Sequence, residues 1–275
     1  MSETTLSELT LTGSAGHRLS VRIWEGERPD AVVVISHGFG EHAGRYDHAA
    51  WRLTESGYRV VVPDHHGHGL SGGPRARVDF ATAVADLDAL LDNPGINPPG
   101  STVFMLGHSM GGAIALRYAI AHRERLKGLV LSSPLTILDA TRATKILGSL
   151  LARVLPGAPT VKLDPALVSR DPDVVAAYRA DPLVHHGAIP AVTAAAFVAH
   201  ADTIMEDATE MRVPTLLLYG TADGLCPPKG SQRLARAIGA VDRTTHAYEG
   251  LYHEILNEPE QDEILDTIVA WLDAH

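Results

Sequence analysis

Three side chains far apart in the chain have the types and the order of a nucleophile, an acid and a base. Ser109 lies in Gly107-His-Ser-Met-Gly111, Asp223 in Gly220-Thr-Ala-Asp223, and His253 in Gly250-Leu-Tyr-His253. A serine hydroxyl attacks a carbonyl at neutral pH only when a base removes its proton, and imidazole has the right intrinsic basicity. A carboxylate on the far ring nitrogen fixes the tautomer and balances the imidazolium that forms. The chemistry these residues would do together is acyl transfer.

The Gly-x-Ser-x-Gly pattern needs a strand before the serine and a helix after it, with small residues flanking a strained turn. The apolar run Thr102 to Leu106 leads directly into Gly107, and Gly111-Gly-Ala-Ile-Ala-Leu opens a helical run, so Ser109 meets both conditions. A second match, Gly69-Leu-Ser71-Gly-Gly73, sits in a loop, because the strand before it ends at Pro63. Hydrolases with such an elbow keep the order serine, acid, histidine, each on a loop after a late strand. Asp223 and His253 fit that order. Asp139 is the rival acid, and His185 and His186 come too early. His37-Gly-Phe-Gly40 follows the run Ala31 to Ser36, where backbone N–H groups of Phe39 and Met110 would stabilise an oxyanion.

Two other chemistries compete for these segments. Gly38-Phe-Gly-Glu-His-Ala43 fits a dinucleotide-binding pattern, with Asp64 ending the next strand as a ribose ligand. That reading leaves Ser109, Asp223 and His253 unexplained. His65, His66 and His68 raise a metal site, but there is no His-Glu-x-x-His run and no cysteine pair. No metal or cofactor is expected.

The elements must hold these residues together. Thr5 to Thr12 and His17 to Glu25 alternate around Gly13-Ser-Ala-Gly16 and read as an antiparallel hairpin. Ala31 to Ser36, Tyr58 to Pro63, Thr102 to Leu106, Leu126 to Leu131 and Val213 to Tyr219 are short apolar runs, as in parallel strands buried on both faces. Thr244 to Tyr248 adds a last strand. Helical spacing recurs at 47–56, 80–91, 110–123, 230–238 and 258–273. The fold class is therefore α/β, a mostly parallel central sheet flanked by helices. Between about 135 and 190 no strand pattern appears, and helical runs such as 140–154 alternate with prolines. This segment reads as a helical cap inserted between a first core part, 1–134, and a second, 191–275.

At 275 residues and 45% hydrophobic the chain can bury a full core. A net charge of -10 argues against the cationic surface of a nucleic-acid binder. The single cysteine, Cys226, excludes an intramolecular disulfide. No basic, apolar leader and no apolar run of roughly 18 residues is present. These features read as a cytoplasmic protein able to touch a membrane from one side.

His37-Gly-Phe-Gly-Glu-His42 with Gly44-Arg-Tyr46, Asp64 to Ser71, Gly107 to Gly112, Tyr178 with Asp181-Pro-Leu183, Gly220 to Asp223 and Tyr252 to Glu258 together resemble the monoacylglycerol lipases, from about residue 30 to the end. The resemblance implies the α/β-hydrolase fold, a cap over the core and a small-molecule lipid substrate. It implies that Glu41, Arg45 and Tyr178 help hold the glycerol end. Cys226 matches a cysteine near the active site, and Phe39 replaces a smaller residue, which would narrow the pocket. In the cap, Ile146-Leu147, Leu150-Leu151 and Val154-Leu155 recur at helical spacing beside Arg142, Lys145 and Arg153. Such a helix could line an acyl tunnel, meet a lipid surface, or simply pack the cap onto the core.

Overall fold

The apolar runs become strands of one eight-stranded sheet, and the helical segments cover its two faces. A computed structural model describes residues 5–138 and 141–275. In chain order these residues form β1 (Leu6–Thr12), β2 (Arg18–Trp24), β3 (Arg28–Ser36), α1 (Asp47–Glu55), β4 (Tyr58–Pro63), α2 (Phe80–Leu91), β5 (Thr102–His108), α3 (Met110–Ala121) and β6 (Gly128–Ser132). They continue as α4 (Arg142–Val154), α5 (Pro172–Ala180), α6 (Ala191–Asp207), β7 (Thr215–Gly220), α7 (Pro228–Ala237), β8 (Arg243–Tyr248) and α8 (Gln261–Ala274).

The sheet order is β1-β2-β4-β3-β5-β6-β7-β8. β1 and β2 form the expected antiparallel hairpin, and β2 joins β4 antiparallel. From β4 to β8 every pairing is parallel. Neighbouring side chains of a strand point to opposite faces. Accordingly Val32 and Val34 enter one apolar core with α2, α3, α6 and α7, while Val33 and Ile35 enter the other with α1 and α8. Burial on both faces is why β3, β5, β6 and β7 read as continuous apolar runs. β1 and β8 are the edge strands, and Arg243-Thr-Thr-His-Ala-Tyr248 of β8 is mostly exposed.

Among the described residues the excursion between β6 and β7 holds three α-helices. α4, the run expected at 140–154, packs against α6. The sequence pattern did not single out α6, an Ala-rich helix with little amphipathic contrast. The parallel strands end on one side of the sheet, and the loops after β3, β5, β7 and β8 gather there beneath α5 and the segments around it.

Candidate active site

Ser109 occupies a single-residue elbow between β5 and α3, with φ 54° and ψ −118°. A non-glycine residue held there costs of order 1–3 kcal/mol, which the surroundings must offset. They do so through the Ser109 backbone: its N–H donates to Ser132 O at 3.0 Å, and its carbonyl accepts from Leu135 N at 3.0 Å and Ala113 N at 3.1 Å. The motif glycines are steric necessities. A Cβ on Gly111 would stand 1.9 Å from Ser36 O, and one on Gly107 would stand 2.5 Å from Gly111 O.

The loops after β7 and β8 bring the other two residues to the serine. His253 Nδ1 lies 2.8 Å from Asp223 Oδ2, and His253 Nε2 lies 2.9 Å from Ser109 Oγ. Because the carboxylate only accepts, the ring proton sits on Nδ1, which leaves Nε2 to accept from the serine hydroxyl. Asp223 also caps its own turn, since Oδ1 accepts from Leu225 N and Cys226 N at 2.8 Å each. Burial alone would lower the basicity of His253, but the charge and hydrogen bond of Asp223 outweigh it and hold the ring above its ordinary value. His108 stacks obliquely on His253 at 4.7 Å, and burial pushes it down to about 3, so it stays neutral. Asp139 lies outside the described residues.

The oxyanion segment is fixed through its peptide plane. His65 N donates to His37 Nε2 at 2.9 Å, so the proton of His37 is on Nδ1, 2.8 Å from Gly38 O. Gly38 C=O and Phe39 N–H belong to one rigid peptide. Holding the carbonyl therefore aims the amide. The N–H groups of Phe39 and Met110 have no protein acceptor among the described residues.

Glu41, Arg45 and Tyr178 also meet here, in an arrangement the sequence did not disclose. Glu41 Oε1 accepts from Gly38 N at 2.6 Å and Tyr46 Oη at 2.8 Å, and Glu41 Oε2 lies 2.7 Å from Arg45 Nη1. Arg45 makes a two-pronged pair with Glu254, Nη1 to Oε1 at 2.7 Å and Nη2 to Oε2 at 2.8 Å. Its guanidinium carbon lies 4.7 Å from the centre of the Tyr178 ring. Glu41, Tyr178 and Glu254 line the cavity above Ser109, but Arg45 lies behind them. Glu254 is the residue sequence reasoning missed. The signal that could have found it is its place next to His253, as a carboxylate able to pair with Arg45.

That cavity has a volume of about 390 Å³ and is walled by Phe39, Leu138, Leu163, Leu167, Ile189 and Phe197. α4 does not contribute to it. Ile146, Leu147, Leu150, Val154 and Leu155 of the apolar stripe are 58–68% exposed and none of them lines this cavity, while Leu151 is half-buried and α4 packs on α6.

The competing sequence readings resolve locally. Ser71 Oγ donates to Asp64 O at 2.6 Å and accepts from Ser20 N at 2.8 Å, a loop-fastening role away from the histidine. Both Asp64 oxygens are taken by backbone, Ala43 N and Leu70 N, each at 2.7 Å. Asp64 is buried and fastens the loop after β4 through both of its oxygens. His65 bonds Ser36 Oγ, His66 stacks on His17, and His68 bonds His66 O, so the three rings have separate local partners.

A family model described as "Serine aminopeptidase, S33" matches residues 27–260. The monoacylglycerol lipase of Mycolicibacterium smegmatis is 38% identical, with both chains covered in full. Human monoglyceride lipase is 36% identical over 90% of this chain and 84% of its own. The crystal structure of the monoacylglycerol lipase of Paleococcus ferrophilus superposes with a TM-score of 0.83 at 32% identity, covering 99% of each chain. With that likeness running the full length of the chain, this protein belongs to the monoacylglycerol lipase family of α/β-hydrolases and is a carboxylic ester hydrolase.

Proposed function

We propose that this protein cleaves monoacylglycerols to fatty acid and glycerol through an acyl-enzyme on Ser109. The observation that carries the reading is the line from Ser109 Oγ through His253 to Asp223, at 2.9 and 2.8 Å, beneath a largely apolar cavity. His253 takes the proton of Ser109 as the hydroxyl attacks the ester carbonyl, and Asp223 stabilises the imidazolium. The N–H groups of Phe39 and Met110 hold the oxyanion. His253 returns the proton to the leaving glycerol oxygen. It then activates water, which frees the fatty acid and restores Ser109.

The acyl chain lies among Leu138, Leu163, Leu167 and Phe197, while Glu41 and Tyr178 face the glycerol end. Arg45 serves that end through Glu41. Residues 135–190 act as the cap. The outward stripe of α4 and the adjoining groove, with Lys145 and Arg153 on its rim, support contact with a membrane or micelle surface through hydrophobic insertion and attraction to anionic headgroups. Among the described residues no helix is long and apolar enough to cross a membrane.

The test is hydrolysis of monoacyl-, diacyl- and triacylglycerols of graded chain length beside a short soluble ester. The monoacylglycerols should be strongly preferred, and Ser109→Ala should abolish turnover without loss of fold. Activity confined to the short ester would reduce the function to that of a general carboxylesterase. Leu150→Glu should weaken pull-down by anionic vesicles and spare the short ester; unchanged vesicle binding removes the role of α4.

A further inference from the structure

The oxyanion donor and the general base sit on loops 209 residues apart in sequence at their point of contact, and one arginine joins them. We infer that Arg45 and Glu254 form a positioning clamp that keeps the Gly38–Phe39 peptide in register with His253. The inference rests on the triad reading above and adds to it a role for Glu254.

The clamp is a continuous chain of short contacts. Gly38 N–H is held by Glu41, Glu41 by Arg45, and Arg45 by both oxygens of Glu254, which is bonded covalently to His253. The side chains of Glu41, Arg45 and Glu254 are only 4%, 9% and 5% exposed. The pair geometry is therefore shielded from water and rigid in a way that a surface pair is not. Glu254 is pinned from outside as well: Asn257 Nδ2 donates to its Oε2 at 2.9 Å, and its backbone N–H donates to Val168 O at 2.8 Å. Tyr178 covers the guanidinium face.

This geometry separates positioning from direct binding. Arg45 gives Nη1 to both carboxylates and Nη2 to Glu254, and it does not line the Ser109 cavity. Although burial opposes its ionisation, Arg45 holds Glu254 down to about 2, so the carboxylate beside His253 is charged at neutral pH. A charged Glu254 next to the base also favours the imidazolium that forms when Ser109 attacks. Loosening the clamp should thus cost catalysis in the chemical step, because a small displacement of an oriented donor or base is expensive there.

The experiment measures kcat, KM and the pH profile on p-nitrophenyl acetate, an ester that requires the triad but no monoacylglycerol site. Wild type, Ser109→Ala, Glu254→Gln, Glu254→Asp, Arg45→Met and the double variant Arg45→Met/Glu254→Gln are compared, each checked by thermal melting. Glu254→Gln keeps the shape and removes the charge. It should lower kcat about ten- to hundredfold with KM little changed, and move the acid limb of kcat/KM to lower pH. Glu254→Asp should restore the position of that limb, and the double variant should lose less than the product of the single losses. A folded Glu254→Gln with wild-type kcat and an unmoved limb overturns the inference while leaving the triad intact. So does a rise in KM alone, which would assign the pair to binding. Turnover by Ser109→Ala would instead overturn the triad reading on which the inference rests.

Discussion

Cys226 Sγ lies 3.9 Å from Ser109 Oγ, and the Cys226 backbone N–H donates to Asp223 Oδ1, so the single cysteine meets Ser109 through its thiol and Asp223 through its amide. It is nonetheless a poor nucleophile. Burial pushes the thiol well above its ordinary value, and the charge of Asp223 pushes it further in the same direction. Since only the thiolate reacts, alkylation by iodoacetamide at pH 7.5 should be about tenfold or more slower than for free cysteine. Each adduct should block one active site. Cys226→Ala should retain turnover and lose sensitivity to the reagent. Rapid labelling at neutral pH, measured by mass spectrometry, would contradict the buried geometry.

The pH dependence follows from His253. In the proposed mechanism the neutral ring is the base, and Asp223 holds the ring above its ordinary value of 6.5 despite burial. The acid limb of kcat/KM on a non-ionising ester should therefore lie above 6.5 and fall tenfold per unit below it. The linkage to stability has the opposite sign. The protonated His253–Asp223 pair stabilises the fold fully below the unfolded value, and that contribution is lost as pH rises through the raised one. Asp223→Asn should move the limb down and reduce kcat by roughly 10³- to 10⁴-fold. A limb that stays in place would mean that Asp223 does not set the basicity of His253.

What the sequence disclosed and what it hid divide along a physical line. Ser109 was legible because an elbow needs a strand, a helix and small neighbours, all local in the chain, and β5, α3, Gly107 and Gly111 supply them. The inner parallel strands were legible because burial on both faces leaves their runs almost wholly apolar. Glu254 was hidden because its partner is 209 residues away, and ion pairing between distant segments leaves no periodic trace. The stripe of α4 announced an apolar face without announcing what the face meets. Periodicity reports that one side of a helix is apolar, and only the folded chain shows that Ile146, Leu147, Leu150 and Val154 of that side are exposed while Leu151 is half-buried.

Ser71, the second serine in a Gly-x-Ser-x-Gly match, should matter to stability and not to turnover. Its hydroxyl joins Asp64 O to Ser20 N, tying the loop after β4 to β2. Ser71→Ala strands the Ser20 N–H and should cost about 1–3 kcal/mol. For a chain of this size that is roughly 2–4 °C of Tm per kcal/mol. Calorimetry and a parallel ester assay check both halves. Loss of turnover in a variant with wild-type Tm would reopen the assignment of the nucleophile.

Phe39 is the residue whose side chain and backbone do different jobs. Its amide is aimed by His37 through Gly38 O, whereas its ring packs edge-on against Phe197, His185 and His68 at 5.6–5.9 Å. The ring also stands between the Ser109 cavity and a second cavity of about 350 Å³ lined by Lys162, Leu163, Tyr178, His185 and His186. Removing it should open one space into the other and leave the oxyanion donor in place, because the restraints on the peptide do not pass through the ring. Phe39→Ala should therefore keep activity on a short ester while raising the rate on diacylglycerol relative to monoacylglycerol by about tenfold, the scale on which a pocket wall discriminates by size. The ratio of the two rates, taken at matched chain length, is the measurement. An unchanged ratio would mean that Lys162, Leu163 and Tyr178, which also line both cavities, close the wall without the ring; loss of the short-ester activity would mean that the ring, and not His37, holds the oxyanion peptide.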